Sequence, residues 1–96
     1  VAIEASENGA KVAVVSKTYP TQSQTAMAQG GINAPLGNII KDSCTLHIED
    51  TLKASSKFAD EKMVTKMVKN APKAIEWLDD MGVVFSRLEN GKIAQR

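Results

Sequence analysis

The sequence predicts an α/β or α+β chain, mainly helical, with short strands and a C-terminal hairpin. Three observations predict it. The run Lys11–Ser16 carries Val12, Val14 and Val15, the β-branched content of a buried strand. Apolar residues recur near helical spacing between Asp60 and Met81. An Asn90-Gly91 pair lies ahead of a second short run, as in a tight turn between antiparallel strands.

The elements follow in order. Val1, Ile3 and Ala5 alternate with Glu4 and Glu7 in an amphipathic helical pattern, and Gly9 after Asn8 is a helix C-terminal signal. No initiator Met precedes this pattern, so the chain is expected to open in mid-helix. A loop follows Ser16, and Pro20 disfavours helical geometry at Tyr19. Ser23 or Thr25 can cap a short helical turn over Ala26–Gln29, which Gly30-Gly31 ends. Asn33 to Asn38, with Pro35 and Gly37, reads as another loop. Asp42 or Ser43 suits the N-cap of a helix over Cys44–Ala54, broken at Ser55-Ser56. Asp60 to Met81 predicts either two helices, 60–69 and 71–81, or one helix kinked at Pro72, closed by Gly82. Val83–Ser86 is a short strand, and Lys92–Gln95 returns from the Asn-Gly turn.

Composition bounds the chemistry. The 96 residues allow one domain or part of one, with 43% apolar and only 4% aromatic residues. A core here rests on Ala, Val, Ile, Leu and Met. Net charge is +1, with lysines scattered among acids, so no nucleic-acid stripe is present. One cysteine, Cys44, excludes an intrachain disulfide and fits a reducing compartment. No apolar run approaches the ~18 residues of a membrane span, and no secretory signal is visible.

Four stretches carry a resemblance: VSKTYPTQS, AQGGINAPLGN, HIEDTLKAS and MGVVFSRLENGKIAQR. In order and spacing they resemble the flavoprotein subunits of succinate dehydrogenase and fumarate reductase, over nearly the whole chain. L-aspartate oxidase is a close relative, similar around AQGGI and the helix after Asp42. FSRLENGKIAQR looks more like the first two enzymes.

The resemblance implies part of an FAD-binding, Rossmann-like domain. Residues 1–16 would be the tail of the first helix and the second strand, 17–38 the flavin-edge loop, 43–82 helices, and 83–96 a strand and hairpin. The glycine-rich turn that lets a backbone approach the pyrophosphate is absent here. By the same resemblance, Ser16 and Lys17 stand where nucleotide ribose contacts arise. Ala28, Gln29, Gly30 and Gly31 would lie against the isoalloxazine. Glycines let backbone N–H groups reach a planar ring, and donors near its N5 and O4 edge stabilise reduced flavin.

Ser23, Gln24 and Thr25 complete the implied cofactor residues and carry a departure. The family pattern there is Ser-His-Thr, whose histidine nitrogen bonds to the flavin 8α carbon. An amide nitrogen has a delocalised lone pair and is a poor nucleophile, so Gln24 predicts noncovalent FAD. Losing the link makes the flavin a better reductant, which favours fumarate reduction unless the protein field offsets it.

The resemblance further implies a parent enzyme that interconverts succinate and fumarate by hydride transfer to or from FAD. It implies an iron–sulfur subunit, a membrane anchor subunit and quinone as electron partners, with the complex peripheral on the cytoplasmic face of the inner membrane. The alternatives are a noncovalent L-aspartate oxidase, or an isolated helical module without activity that self-associates. The 96-residue chain alone is expected neither to retain FAD nor to turn over.

Other residues take the plainer reading. His47, with Asp50 three residues on, is a helix-surface or packing histidine. Cys44, without a second cysteine or a CxxC, is a small buried apolar residue rather than a metal ligand. Asp79-Asp80 is a solvated helix end, since adjacent helical residues diverge by ~100°. Met63, Met67 and Met81 read as core, and Trp77 as an anchor of helix on sheet. Arg87 and Arg96 suit dicarboxylates chemically, but the family's catalytic arginines lie downstream, so neither is assigned a catalytic role. The family continues beyond Arg96 into a Phe-Gly-Gly segment near the dicarboxylate.

Overall fold

The computed structural model describes every residue except Gln29, Lys57 and Arg96, with Thr25 described for its backbone only. The chain divides into two compact units, Val1–Gly31 and Ile32–Arg96.

The first unit opens with helix α1, Ala2–Glu7. Gly9 adopts φ +83°, and Gly9 N–H donates to Ser6 O at 2.9 Å while Ala10 N–H donates to Ala5 O at 3.0 Å. These two bonds are the Schellman closure expected of a glycine after the helix. Lys11–Ser16 forms no strand, and Val14 and Val15 are 73% and 94% exposed. The predicted strand fails for a physical reason: no second strand among the described residues offers it a hydrogen-bonded ladder. Tyr19 takes ψ 134°, as Pro20 requires, and Pro20 starts a single 3-10 turn to Gln22 that the sequence did not announce. The short helix α2 spans Gln24–Met27, two residues earlier than predicted, with Ser23 O accepting from Met27 N–H at 3.1 Å.

The second unit is built on two packed helices, α3 (Cys44–Ala54) and α4 (Glu61–Asp80). Both begin on side-chain caps. Ser43 Oγ accepts from Leu46 N–H at 3.2 Å, and Asp60 Oδ1 accepts from Met63 N–H at 3.0 Å. Each cap satisfies one of the N–H groups that a helix start leaves without a partner. Ser56 ends α3 in the left-handed region at φ +50°. α4 is one helix running through Pro72, which corrects the two-helix alternative. The missing proline N–H removes one backbone bond, and the burial of Val64, Val68 and Ile75 on both sides of Pro72 offsets it. Gly82, at φ +91°, closes α4 with Gly82 N–H on Asp79 O and Val83 N–H on Leu78 O.

The core differs from the composition-based expectation. Val64, Val68 and Ile75 are buried, while Met63, Met67 and Met81 are 64%, 57% and 52% exposed. Met63 and Met67 each precede a buried valine, and one residue turns the side chain ~100° away from the seam. Trp77 is exposed too, with no sheet among the described residues for it to anchor. Cys44 is half-buried in the first turn of α3, not buried.

The C-terminal stretch keeps the turn but not the strands. Val83–Ser86 is not a strand, and Val84 is 96% exposed. The hairpin reduces to one antiparallel bridge, Arg87 with Ile93, around a turn in which Gly91 takes φ +81°. Leu88 N–H donates to Lys92 O at 2.8 Å and Ala94 N–H to Ser86 O at 2.7 Å. Arg87 donates to Gly91 O at 3.0 Å and to Asp79, so it clips the turn to the end of α4. Asp79 is therefore an ion-pair partner and not a free solvated carboxylate. The pair is too exposed to contribute more than about 1 kcal/mol.

A polar strap closes the unit. Gln95 Oε1 accepts from Asn38 N–H at 2.7 Å, and Gln95 Nε2 donates to Ala34 O at 3.1 Å. Asn38 Nδ2 donates in return to Ile93 O at 2.9 Å. Two amide side chains thus replace the backbone ladder that the loop 34–38 lacks. Gln95→Ala is expected to lower unfolding free energy by about 1–3 kcal/mol, and Asn38→Ala by a similar amount. Chemical denaturation of each variant checks this, with Asn38→Ala losing only the bond to Ile93 O, because the Asn38 N–H that Gln95 Oε1 accepts belongs to the backbone.

Candidate functional site

The candidate residues all lie in the first unit. Ser16 and Lys17 are exposed in the irregular segment after α1. Ser23 is half-buried in extended geometry, at φ −79° and ψ 171°, between the 3-10 turn and α2. Gln24 is the first residue of α2 and is exposed. Thr25 follows within α2, and Ala28, Gly30 and Gly31 are exposed beyond it. Gln29, singled out by the sequence, lies outside the described residues, as does Arg96.

The geometry of Gly30 and Gly31 bears on whether a flavin fits. Neither glycine sits in the left-handed region, and a Cβ added at either would meet nothing within 4 Å. Contrast Gly9, Gly37, Gly82 and Gly91, which all hold positive φ and close turns or helix ends. Nothing among the described residues therefore requires glycine at 30 or 31. Among the described residues no backbone hydrogen bond engages either one. Two consecutive exposed glycines with uncommitted N–H donors suit close approach by another molecule, which is what a planar, acceptor-edged ring needs. The residues present fit the group.

The other candidates gather no chemistry. His47 is half-buried on α3; its backbone carbonyl accepts from Thr51 Oγ1 at 2.7 Å, and no hydrogen bond joins its ring to Asp50. No cluster of three metal-ligating side chains occurs among the described residues, and no helix is long and apolar enough to cross a membrane. The strap residues Asn38 and Gln95 were missed by sequence reading. Neither has a local signal, since their partners lie 55–61 residues away.

A family model described as "FAD binding domain" matches residues 1–96. The chain belongs to the FAD binding domain family. Its cofactor is FAD. Among curated proteins, the chain is 46% identical over 95 residues to the mitochondrial succinate dehydrogenase [ubiquinone] flavoprotein subunit of Oryza sativa, covering 99% of this chain and 15% of that one. It is 49% identical over 90 residues to the succinate dehydrogenase flavoprotein subunit of Rickettsia bellii, covering 94% and 15%. It is 41% identical over 96 residues to the 8-methylmenaquinol:fumarate reductase flavoprotein subunit of Wolinella succinogenes, covering 100% and 16%. Among solved structures, the Mycobacterium smegmatis Sdh1 complex in the apo form matches with TM-score 0.93 and 35% identity, over 99% of this chain and 16% of that chain. The chain thus spans about 15% of the length of the curated relatives it matches.

Proposed function

We propose that these residues form the flavin-edge segment of a succinate dehydrogenase or fumarate reductase flavoprotein subunit. The observation that carries the reading is the family match over residues 1–96, together with relatives at 41–49% identity that bear those names. Within the parent protein, Ser16 and Lys17 contact the ribose side of the nucleotide. Ser23, Gln24, Thr25, Ala28, Gln29, Gly30 and Gly31 face the ring. FAD supplies two-electron exchange with succinate or fumarate when bound.

The chain's own contribution is to bind and orient. Backbone N–H groups at Gly30 and Gly31 donate toward the acceptor edge of the ring, where negative charge gathers on reduction. The Lys17 ammonium, exposed after α1, is a hydrogen-bond donor for the ribose side of the nucleotide. Gln24 holds its side chain at the start of α2 as a hydrogen-bonding amide rather than a covalent attachment point. None of the arginines here shuttles the substrate proton. Electrons leave toward an iron–sulfur subunit, a membrane anchor and quinone, with the assembly peripheral at the inner membrane. Support for a multi-subunit setting is the likeness to a chain of the Sdh1 complex.

Gln24 favours a second reading, a noncovalent L-aspartate oxidase. One experiment separates the two. The full-length protein that carries this segment, loaded with FAD and kept anaerobic, is mixed in turn with succinate and with L-aspartate. Bleaching of the visible flavin band by succinate alone is the expected result. Bleaching by aspartate alone would overturn the proposal.

A further inference from the structure

We propose that Gln95 is a positioning residue for the flavin-edge glycines, acting through its strap on Ala34 and Asn38. The inference rests on the reading above that Gly30 and Gly31 face the ring.

Gln95 uses both ends of one side-chain amide on the same loop. Its Oε1 accepts from Asn38 N–H at 2.7 Å, and its Nε2 donates to Ala34 O at 3.1 Å. Ala34 O accepts a second bond from Leu36 N–H at 2.9 Å, and Ala34 itself is buried. Asn38 Nδ2 donates to Ile93 O at 2.9 Å and ties the loop to the same segment once more. An amide is donor and acceptor at once, so neither a carboxylate nor an ammonium at 95 could make both bonds.

The loop held in this way begins three residues after Gly31. The chain spans at most about 3.6 Å per residue, so a fixed Ala34 keeps Gly31 within about 11 Å by connectivity alone. The glycines thus lie between the end of α2 at Met27 and the strap at Ala34. Without the strap, the next regular element after them is α3, capped at Ser43. The segment to be held in place then becomes about twice as long, and longer loops cost more entropy to fix. Each residue freed must be ordered again when the ring binds. Donors held in advance also stabilise developing negative charge better than donors that must first be ordered. Loss of the strap therefore weakens FAD, and the reduced form more than the oxidised form.

Gln95→Leu in the full-length flavoprotein that carries this segment tests this, because leucine makes neither bond. Reconstitution of the apoprotein with FAD and the flavin midpoint potential are measured for wild type, Gln95→Leu, Val68→Ala and Gly31→Val. Gln95→Leu should raise the FAD dissociation constant about tenfold. The reduced form should lose a further factor of about ten, a fall in midpoint potential of about 30 mV for a two-electron couple. Val68→Ala loosens the α3–α4 seam without touching the strap. It should lower the melting temperature and leave the potential at the wild-type value. Gly31→Val should weaken FAD by putting a side chain where the ring approaches. If Gly31→Val binds FAD as wild type does, the flavin-edge reading fails and the proposal falls with it. If Gly31→Val weakens FAD while Gln95→Leu keeps wild-type affinity and potential, the proposal alone is overturned. Equal shifts of potential in Gln95→Leu and Val68→Ala would overturn it too, because general loosening would then account for both.

Discussion

Acid precipitation of the full-length flavoprotein that carries this segment is expected to release all of its flavin into the supernatant. The residue responsible is Gln24. A histidine at this point can attack through a ring nitrogen lone pair, whereas the Gln24 amide lone pair is delocalised into its carbonyl. The position is open enough to test, because Gln24 is exposed at the first residue of α2 and no described side chain hydrogen bond depends on it. Gln24→His should therefore fold. It should also retain flavin fluorescence in the denatured protein band, a readout that needs no turnover. The cofactor's environment tunes its potential, so the same substitution should raise the flavin midpoint potential and shift the enzyme toward succinate oxidation. Flavin that stays with the wild-type polypeptide after acid denaturation would show that another side chain forms the link.

The second large effect concerns stability. Val68 is 1% exposed, the most enclosed side chain in a small core with Val64 and Ile75. Val68→Asp puts an unpaired carboxylate into that seam, and breaking it should cost upward of about 3 kcal/mol. Single domains hold only about 5–15 kcal/mol in reserve, and one of this size sits low in that range. The α3–α4 unit should consequently lose its cooperative thermal transition. Val68→Ala separates packing from charge, with an expected loss of about 1–3 kcal/mol. Lys69→Ala, one residue on and exposed, should stay within about 0.5 kcal/mol. Equal effects at 68 and 69 would contradict the seam described here.

Local signals were legible wherever a residue acts on its own neighbourhood. Gly9 and Gly82 close helices because only glycine adopts positive φ cheaply. Of the two cap candidates, Asp42 and Ser43, Ser43 opens α3 because a short polar side chain reaches the N–H three residues on, and the structure adds the same cap at Asp60 for α4. The Asn90-Gly91 turn follows the same logic. The stretch Ser16–Gly31 reads as a cofactor segment through its resemblance alone, since the family match covers residues 1–96 as a whole. Which of its side chains touch FAD remains the proposal stated above.

What the sequence by itself determined is the extent of α3, the glycine closures of α1 and α4, the turn and the family. All of these depend on residue identity within a few positions. Tertiary structure alone decided which apolar residues are core, since Val68 and Met67 read alike until α3 covers one face of α4 and leaves the other open. It also decided that Lys11–Ser16 and Val83–Ser86 are not strands, and that Asn38 and Gln95 strap a loop 57 residues away. Strands, seams and straps are completed by a partner distant in the chain, and periodicity in one segment carries no information about whether that partner is there.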